Sequence, residues 1–269
     1  MYPKQILPGI DMYLIMLCCA AVSAIVVYRL VADKLKMGAK LQNFCLFNAV
    51  ASIIVGYYSA VLFQAFYNIP KYGGFKIDSS TGATFYGGLI GGAAFFLAVY
   101  FGIGRIYFKE DKEYIKRFRE ITDIAAACIA IAHAFGRIGC LFAGCCHGKQ
   151  TDTWYGIYMS SIGKKVVPIQ LFEAIVLMAI FALLLYRVLH KKTYGLPIYM
   201  SVYGAWRFVI EYARDDYRGF TFISFLTPSQ LTAVVMVIGA IVLFAVEMYL
   251  VKRSNKDITV ETVDETENI

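Results

Sequence analysis

Two arginines inside apolar, membrane-length segments are the residues of this chain that could do the most chemistry. Arg137 lies in the stretch 133–148, which also carries small residues, cysteines and histidines, and Arg207 lies in the stretch 203–214. A charged side chain within a bilayer is costly and needs a partner or a ligand. A guanidinium presents five donors in a planar fork that suits the oxygens of a phosphate. The two arginines therefore indicate an anion site, and the commonest anion in a membrane is a lipid phosphate.

Helical spacing places further polar side chains beside these arginines. One face of the second stretch collects four polar residues that are four, four and three positions apart: Tyr203, Arg207, Glu211 and Arg214. Gln170 and Glu173 share a face of the preceding apolar segment, and His133 precedes Arg137 by one helical turn. Two carboxylates facing three arginines leave positive charge for a phosphate. The simpler alternative is that each arginine pairs with a glutamate only to fix helix packing.

The stretch that contains Arg137 also carries a group of cysteines, for which four interpretations stay open. Its members are Cys140, Cys145 and Cys146, followed by His147. Small cysteines allow close helix packing, and an oxidising face would permit a disulfide. Cys145 or Cys146 could be a nucleophile activated by His147 or His133. The spacing is not a standard zinc pattern, and we predict neither a metal nor a cofactor.

Composition identifies the elements that must position these residues. The chain has 269 residues, 59% of them hydrophobic and only 17% charged, and its mean hydropathy is +0.60, which indicates a membrane protein. Seven segments are long and apolar enough to cross a bilayer as helices: 11–32, 42–67, 84–104, 121–141, 168–189, 195–213 and 229–251. We therefore predict an all-α membrane protein with a single seven-helix domain over 1–251. The remainder, 252–269, is acidic at its end and is predicted to be a disordered cytoplasmic tail.

The basic residues predict the orientation of these helices. Lysines and arginines gather after the first, third and fifth segments and at the start of the tail. All these regions lie on one side if there are seven crossings, and the positive-inside rule makes that side the cytoplasm. The N-terminus is then outside. The net charge of +7 follows from topology, so no nucleic-acid partner is expected.

With this orientation, the polar residues of six segments fall in the outer half of the membrane. They are Tyr13, Tyr86, Arg137, Gln170, Glu173, Arg207, Glu211 and Gln230. Gly87 and Gly88 lie at the same depth and would let a lipid or another helix approach the backbone. The pattern predicts a polar cavity that faces the outer leaflet.

Six motifs, in order along the chain, resemble the prolipoprotein diacylglyceryl transferase family. They are the early Tyr13, Phe85-Tyr86-Gly87-Gly88-Leu89-Ile90-Gly91, Gly136-Arg137-Ile138-Gly139, the stretch from Gln170 to Glu173, the Tyr-Gly-x-x-Arg-Phe-x-x-Glu-x-x-Arg run at 203–214, and Leu226-Thr227-Pro228-Ser229-Gln230-Leu231. The resemblance implies a multi-pass protein of the bacterial cytoplasmic membrane. It implies that phosphatidylglycerol or a related anionic phospholipid donates a diacylglyceryl group to the cysteine thiol of a lipoprotein precursor, with release of glycerol phosphate. By resemblance, Arg137 and Arg207 hold the lipid phosphate, with Tyr13, Tyr203, Glu211 and Arg214 around them.

The chain departs from the family pattern at several positions. Tyr86 replaces a histidine proposed as the catalytic base, and a tyrosine with an unperturbed pKa near 10 is a poor base at neutral pH. Cys140, Ala143 and Cys145 replace two asparagines and a glutamate, and Val167 replaces a histidine. The base is then His133, His147, Glu173 or an activated Tyr86. Two alternatives follow: the same donor with a non-lipoprotein acceptor, such as a glycan or another glycerolipid, or a non-enzymatic phospholipid-binding or transport protein.

Overall fold

The chain is built mostly from helices. The computed structural model describes residues 9–69, 73–78, 81–215 and 225–267, without the side chains of 85–86 and 250–267. The described helices are α1 (Met12–Lys34), α2 (Ala39–Tyr67), α3 (Phe85–Tyr107), α4 (Glu113–Lys116), α5 (Phe118–Ala143), α6 (Ile169–Leu189), α7 (Gly195–Ile210) and α8 (Pro228–Glu267). Six of them are long and apolar enough to cross a membrane: α1, α2, α3, α5, α6 and the first part of α8. The prediction of a helical membrane protein is confirmed.

The helix α7 is the exception among the seven predicted crossings. It has 16 residues and spans about 24 Å, which is less than the roughly 30 Å of a bilayer's hydrocarbon core. A 3₁₀ turn, Glu211–Ala213, follows it. The seventh crossing and the orientation of the termini stay predictions.

Helix α8 continues through the range in which the sequence predicts a disordered tail. Its backbone is helical from Pro228 to Glu267, whereas the predicted tail begins at residue 252. Extending an existing helix requires no new nucleus, so a polar segment after a membrane helix can continue it. The last two residues of the chain lie outside the described part.

A short β-hairpin follows α5, between the predicted membrane segments 121–141 and 168–189. Its strands β1 (Ile157–Met159) and β2 (Lys164–Val166) pair in antiparallel fashion, with Ile157 opposite Val166. Isolated bridges join Gly148 to Arg214 and Gln150 to Val166. Strands of three residues are too short to show an alternating pattern, which is why sequence reading missed them.

The described chain forms two compact units, one of Ala32–Arg119 and one of Met1–Val31 with Glu120–Ile269. The core of the larger unit lies between α5, α6 and α7. Alanines of α5 pack there against branched residues of α6 and two tyrosines of α7: Ala126, Ala127, Ala130, Ala134, Leu177, Ile180, Leu184, Tyr199 and Tyr203. The small side chains of α5 let the three helices approach closely. The single domain over 1–251 stays a prediction.

In the smaller unit, glycines bring α2 and α3 into backbone contact. A Cβ atom on Gly56 would lie 2.9 Å from the carbonyl oxygen of Gly88, and one on Gly92 would lie 3.0 Å from the carbonyl oxygen of Ser52. Asn48 Nδ2 donates to the carbonyl oxygen of Phe96 at 3.0 Å. Small residues with interhelical hydrogen bonds are a usual way to hold membrane helices together.

We expect Gly56→Ala to lower the stability of the protein in detergent by about 1–3 kcal/mol, because the added methyl group meets a backbone carbonyl that cannot rotate away. Thermal unfolding would measure it. Gly102→Ala is the matched control, since a Cβ there has nothing within 4 Å and alanine favours a helix. Equal melting temperatures for the two variants would contradict the close contact.

Candidate functional site

An ion-pair network with Glu173 at its centre lies where α5, α6 and α7 meet. Glu173 is fully buried. Its Oε2 atom lies 3.2 Å from Arg137 Nε and 3.9 Å from Arg214 Nη1, and its Oε1 atom lies 3.8 Å from Arg207 Nη1. One carboxylate therefore faces three guanidinium groups, which come from α5, α7 and the segment after α7.

Glu211 is the second carboxylate of the network. Its Oε2 atom lies 2.7 Å from Arg207 Nη2 and 3.7 Å from Arg214 Nε. The sequence spacing of four and three residues predicts these two pairs, but α7 ends at Ile210, a 3₁₀ turn carries Glu211, and Arg214 follows that turn in an extended conformation. Arg207, Glu211 and Arg214 are all buried. Since three arginines face two carboxylates, the formal charge of the network is positive by one.

Some buried guanidinium nitrogens of this network have no hydrogen-bond partner among the described residues. Arg137 Nε and Arg207 Nη1 are among them. Both lie within ion-pair range of Glu173, but neither makes a hydrogen bond with it. Buried donors are almost always hydrogen-bonded, so such nitrogens mark the place where an anionic ligand could bind.

Three aromatic side chains extend the network along α5 and α7. The Tyr203 hydroxyl donates to Glu173 Oε1 at 3.3 Å and accepts from Arg137 Nη2 at 3.4 Å. His133 Nε2 lies 3.3 Å from the same hydroxyl, and His133 Nδ1 lies 3.1 Å from the Tyr199 hydroxyl. His133 thus lies beside the network, on the face shared with Arg137, but both its ring nitrogens contact tyrosines. Tyr199 is a neighbour that the sequence did not single out.

The start of α8 completes the network with two hydroxyl groups that sequence reasoning missed. Arg207 Nη2 donates to Ser229 Oγ at 2.8 Å, and Thr227 Oγ1 donates to Glu211 Oε1 at 3.0 Å. The signal was in the sequence, since Thr227-Pro228-Ser229-Gln230 is a capping box with proline at the first helical position.

The predicted binding residue Gln230 belongs to that cap. Its Oε1 atom accepts from the Thr227 backbone at 3.1 Å, and Thr227 Oγ1 accepts from the Gln230 backbone at 3.2 Å. This reciprocal pair orients Thr227 toward Glu211. A direct role of Gln230 in binding a substrate stays a prediction.

Gln170 connects α6 to the cysteine group. Its Nε2 atom donates to the carbonyl oxygen of Cys145. The neighbouring thiols of Cys140 and Cys145 and, after them, the Arg214 guanidinium lower the pKa of the Cys146 thiol from its ordinary value. All three cysteines are free thiols. The described contact of His147 is between its Nδ1 atom and the Gly148 carbonyl oxygen, 3.1 Å apart.

The remaining predicted residues lie in different places. The ring of Tyr13 packs over Gly139 of α5, where a Cβ atom would lie 3.1 Å from Tyr13 Cδ2. Gly87 and Gly88 belong to the smaller unit and face α2, so in the described contacts the approaching partner is a helix. Tyr86 belongs to the same unit, and its side chain lies outside the described residues. The predicted roles of these residues in binding or catalysis stay predictions.

The amino-acid sequence matches the profile of a known protein family. The sequence profile described as prolipoprotein diacylglyceryl transferase matches residues 5–246. The chain belongs to the prolipoprotein diacylglyceryl transferase family. The match includes every residue of the ion-pair network, and the family predicted from the motifs is confirmed.

Individual relatives agree with this assignment. The phosphatidylglycerol–prolipoprotein diacylglyceryl transferase 2 of Clostridium perfringens (strain 13 / Type A) is 33% identical over 62% of this chain and 63% of its own length. The transferase of Clostridium tetani (strain Massachusetts / E88) is 30% identical over 64% of this chain and 67% of its own length. That of Francisella tularensis (strain SCHU S4 / Schu 4) is 30% identical over 72% of each chain. The similarity thus spans about two thirds of the relatives' length.

Proposed function

We propose that this chain is a membrane transferase that moves a diacylglyceryl group from phosphatidylglycerol to the cysteine thiol of a prolipoprotein at the outer leaflet. Family membership and the names of the relatives support the donor and the acceptor. The observation that carries the proposal is the network of the buried Arg207 and Arg214 with the partly buried Arg137, which keeps a net positive charge despite Glu173 and Glu211.

In this proposal, the arginines bind the phosphate of the donor and stabilise it as it leaves. The nitrogens Arg137 Nε and Arg207 Nη1 are buried and lack a hydrogen-bond partner among the described residues, so a phosphate oxygen supplies what they need. Donors fixed before the reaction stabilise developing negative charge without reorganising. Before a lipid binds, the two glutamates offset the electrostatic repulsion among the three guanidinium groups.

The reaction takes place at the glyceryl carbon that is bonded to a phosphate oxygen of the donor, and it replaces that bond with a bond to sulfur. The acceptor sulfur attacks that carbon and forms a carbon–sulfur bond. The carbon–oxygen bond to the phosphate breaks, and glycerol phosphate leaves with the electron pair. The thiol proton goes to a base or to water. Since a free cysteine is already partly thiolate near neutral pH, the step needs little help from a base.

His133 fits a positioning role in this scheme. Its two ring nitrogens lie at the hydroxyls of Tyr199 and Tyr203, and Tyr203 contacts both Arg137 and Glu173. The ring therefore holds Tyr203 in place beside the proposed phosphate site. Glu173, His147, Cys145, Cys146 and Tyr86 stay candidates for further steps.

Purified protein in phosphatidylglycerol vesicles with a synthetic prolipoprotein signal peptide would test the proposal. We expect the peptide to gain one diacylglyceryl group for each glycerol phosphate released, and we expect phosphatidylcholine vesicles to give neither product. Release of glycerol phosphate with an unmodified peptide would indicate a different acceptor. Binding of phosphatidylglycerol with no release would instead favour a lipid-binding protein.

We further propose seven crossings in the cytoplasmic membrane of a bacterium, with the N-terminus outside. The 16-residue α7 and its three-residue 3₁₀ extension together span about 30 Å, which is enough for the seventh crossing. Single cysteines introduced at 112 and 260 should resist a membrane-impermeant thiol reagent in intact cells and react after lysis, in a background without the native cysteines. Labelling of either position in intact cells would contradict this topology.

A further inference from the structure

The thiols of Cys140, Cys145 and Cys146 converge on one point just beyond the end of α5. Their three sulfur atoms all lie within 4.8 Å of one another. Cys140 belongs to the last turn of α5, and the other two follow the helix end at Ala143. A metal ion held at about 2.3 Å by three thiolates requires sulfur atoms about 3.8–4.0 Å apart. The observed cluster is close to that spacing before any ion binds.

The turn that carries these thiols is held in place by neighbouring elements. Gly144 has a φ of +71° and Cys146 a φ of +59°, and a positive φ is uncommon for a residue with a side chain. Ser161 Oγ donates to the carbonyl oxygen of Gly144 at 2.8 Å. Gln170 donates to the carbonyl oxygen of Cys145, and the Cys145 backbone N–H donates to the carbonyl oxygen of Cys140 at 3.2 Å. The backbone is thus fixed in the conformation that turns the thiols toward one another.

The charges around the cluster suit a cation bound by thiolates. Three thiolates with one divalent ion carry a formal charge of minus one. Arg214 lies beside Cys146 and supplies a positive charge near the cluster. Buried charges need such a counter-charge to be tolerated. Cys145 is exposed, which gives an ion a route of entry to the cluster.

We infer that Cys140, Cys145 and Cys146 form a binding site for one thiophilic divalent metal ion, of which Zn²⁺ is the common example. The sequence predicts no metal here, because the spacing of five and one residues is not a standard zinc pattern. The three thiols meet only in the folded chain, because the left-handed backbone of Cys146 turns the chain back toward Cys140. The inference does not depend on the proposed transferase activity.

A disulfide is the competing use of these thiols. It would join two of the sulfurs and leave the third without a role, whereas a metal ion uses all three. Mutual proximity of all three sulfurs is the arrangement that a trithiolate site requires and a single disulfide does not.

Zn²⁺ titration of the full-length protein in detergent, purified with a reductant and treated with a chelator, would test the inference. We expect one bound Zn²⁺ per chain by elemental analysis, and protection of Cys145 from alkylation when Zn²⁺ is present. Cys145→Ser should weaken Zn²⁺ binding more than about 100-fold. Loss of a second-shell partner already lowers metal affinity about 10–100-fold, and this substitution removes a direct ligand. Cys18→Ser is the matched control, as another exposed thiol that lies outside the cluster and should bind Zn²⁺ like the wild type.

Three results would overturn the inference. One is the absence of stoichiometric Zn²⁺ binding while all three thiols react with a thiol reagent. Another is a disulfide within the cluster that mass spectrometry detects after purification under mild reductant. The third is equal Zn²⁺ affinity of the wild type and Cys145→Ser, with unchanged melting temperature showing that the variant is folded.

Discussion

Arg207→Ala is expected to reduce diacylglyceryl transfer by about 30- to 1000-fold. The estimate follows from about 2–4 kcal/mol for a charged contact in a water-excluded site, with about 1.4 kcal/mol for each tenfold change in rate. Arg207 is buried, contacts both carboxylates of the network, and donates to Ser229. Its Nη1 atom is one of the donors that we assign to the lipid phosphate.

Arg207→Lys separates charge from geometry in the same experiment. Lysine keeps the positive charge but cannot reach Glu211 and a phosphate with a planar fork, so it should also be impaired. The rate of glycerol phosphate release and the binding of phosphatidylglycerol to the detergent-solubilised variants are the measurements. Arg187→Lys is a suitable control, since Arg187 donates to the Thr193 carbonyl at the other end of α6. Lipid binding and turnover near wild type in Arg207→Ala would mean that Arg207 only fixes helix packing.

Glu173→Gln is expected to lower the free energy of unfolding by about 3–5 kcal/mol, which is the usual cost of breaking a buried ion pair by removing one partner. Glu173 is fully buried and is the carboxylate that α6 contributes to the network. Its loss leaves Arg207 and Arg214 with Glu211 as an ion-pair partner and removes the ion pair of Arg137. Three guanidinium groups would then repel one another in a medium that screens charge poorly.

Denaturant or thermal unfolding in detergent would measure this loss of stability. Glu110→Gln, at an exposed position, provides the control and should change stability by less than about 0.5 kcal/mol. Excess phosphatidylglycerol headgroup analogue should partly stabilise Glu173→Gln, because an anion can take the place of the lost carboxylate. A variant with wild-type stability would show that Glu173 is not the counter-ion of the three arginines.

The sequence by itself predicted the membrane helices and the main polar face. A helix repeats every 3.6 residues, so a spacing of four places Tyr203 and Arg207 on one side of α7 whatever the helix packs against. Glu211 pairs with Arg207 and Arg214 as their spacing predicts, although α7 ends at Ile210 and a 3₁₀ turn carries Glu211. Apolar length is likewise a local property, which is why six of the predicted crossings coincide with helices long enough to span.

The tertiary structure alone decided which residues from different helices meet. Arg137 and Glu173 are 36 positions apart, and their contact depends on how α5 and α6 pack, which no local period encodes. The same is true of Ser229 beside Arg207 and of the glycines of α3 against α2. The cysteine cluster depends on a left-handed residue at the end of α5, because only that turn brings Cys146 back toward Cys140.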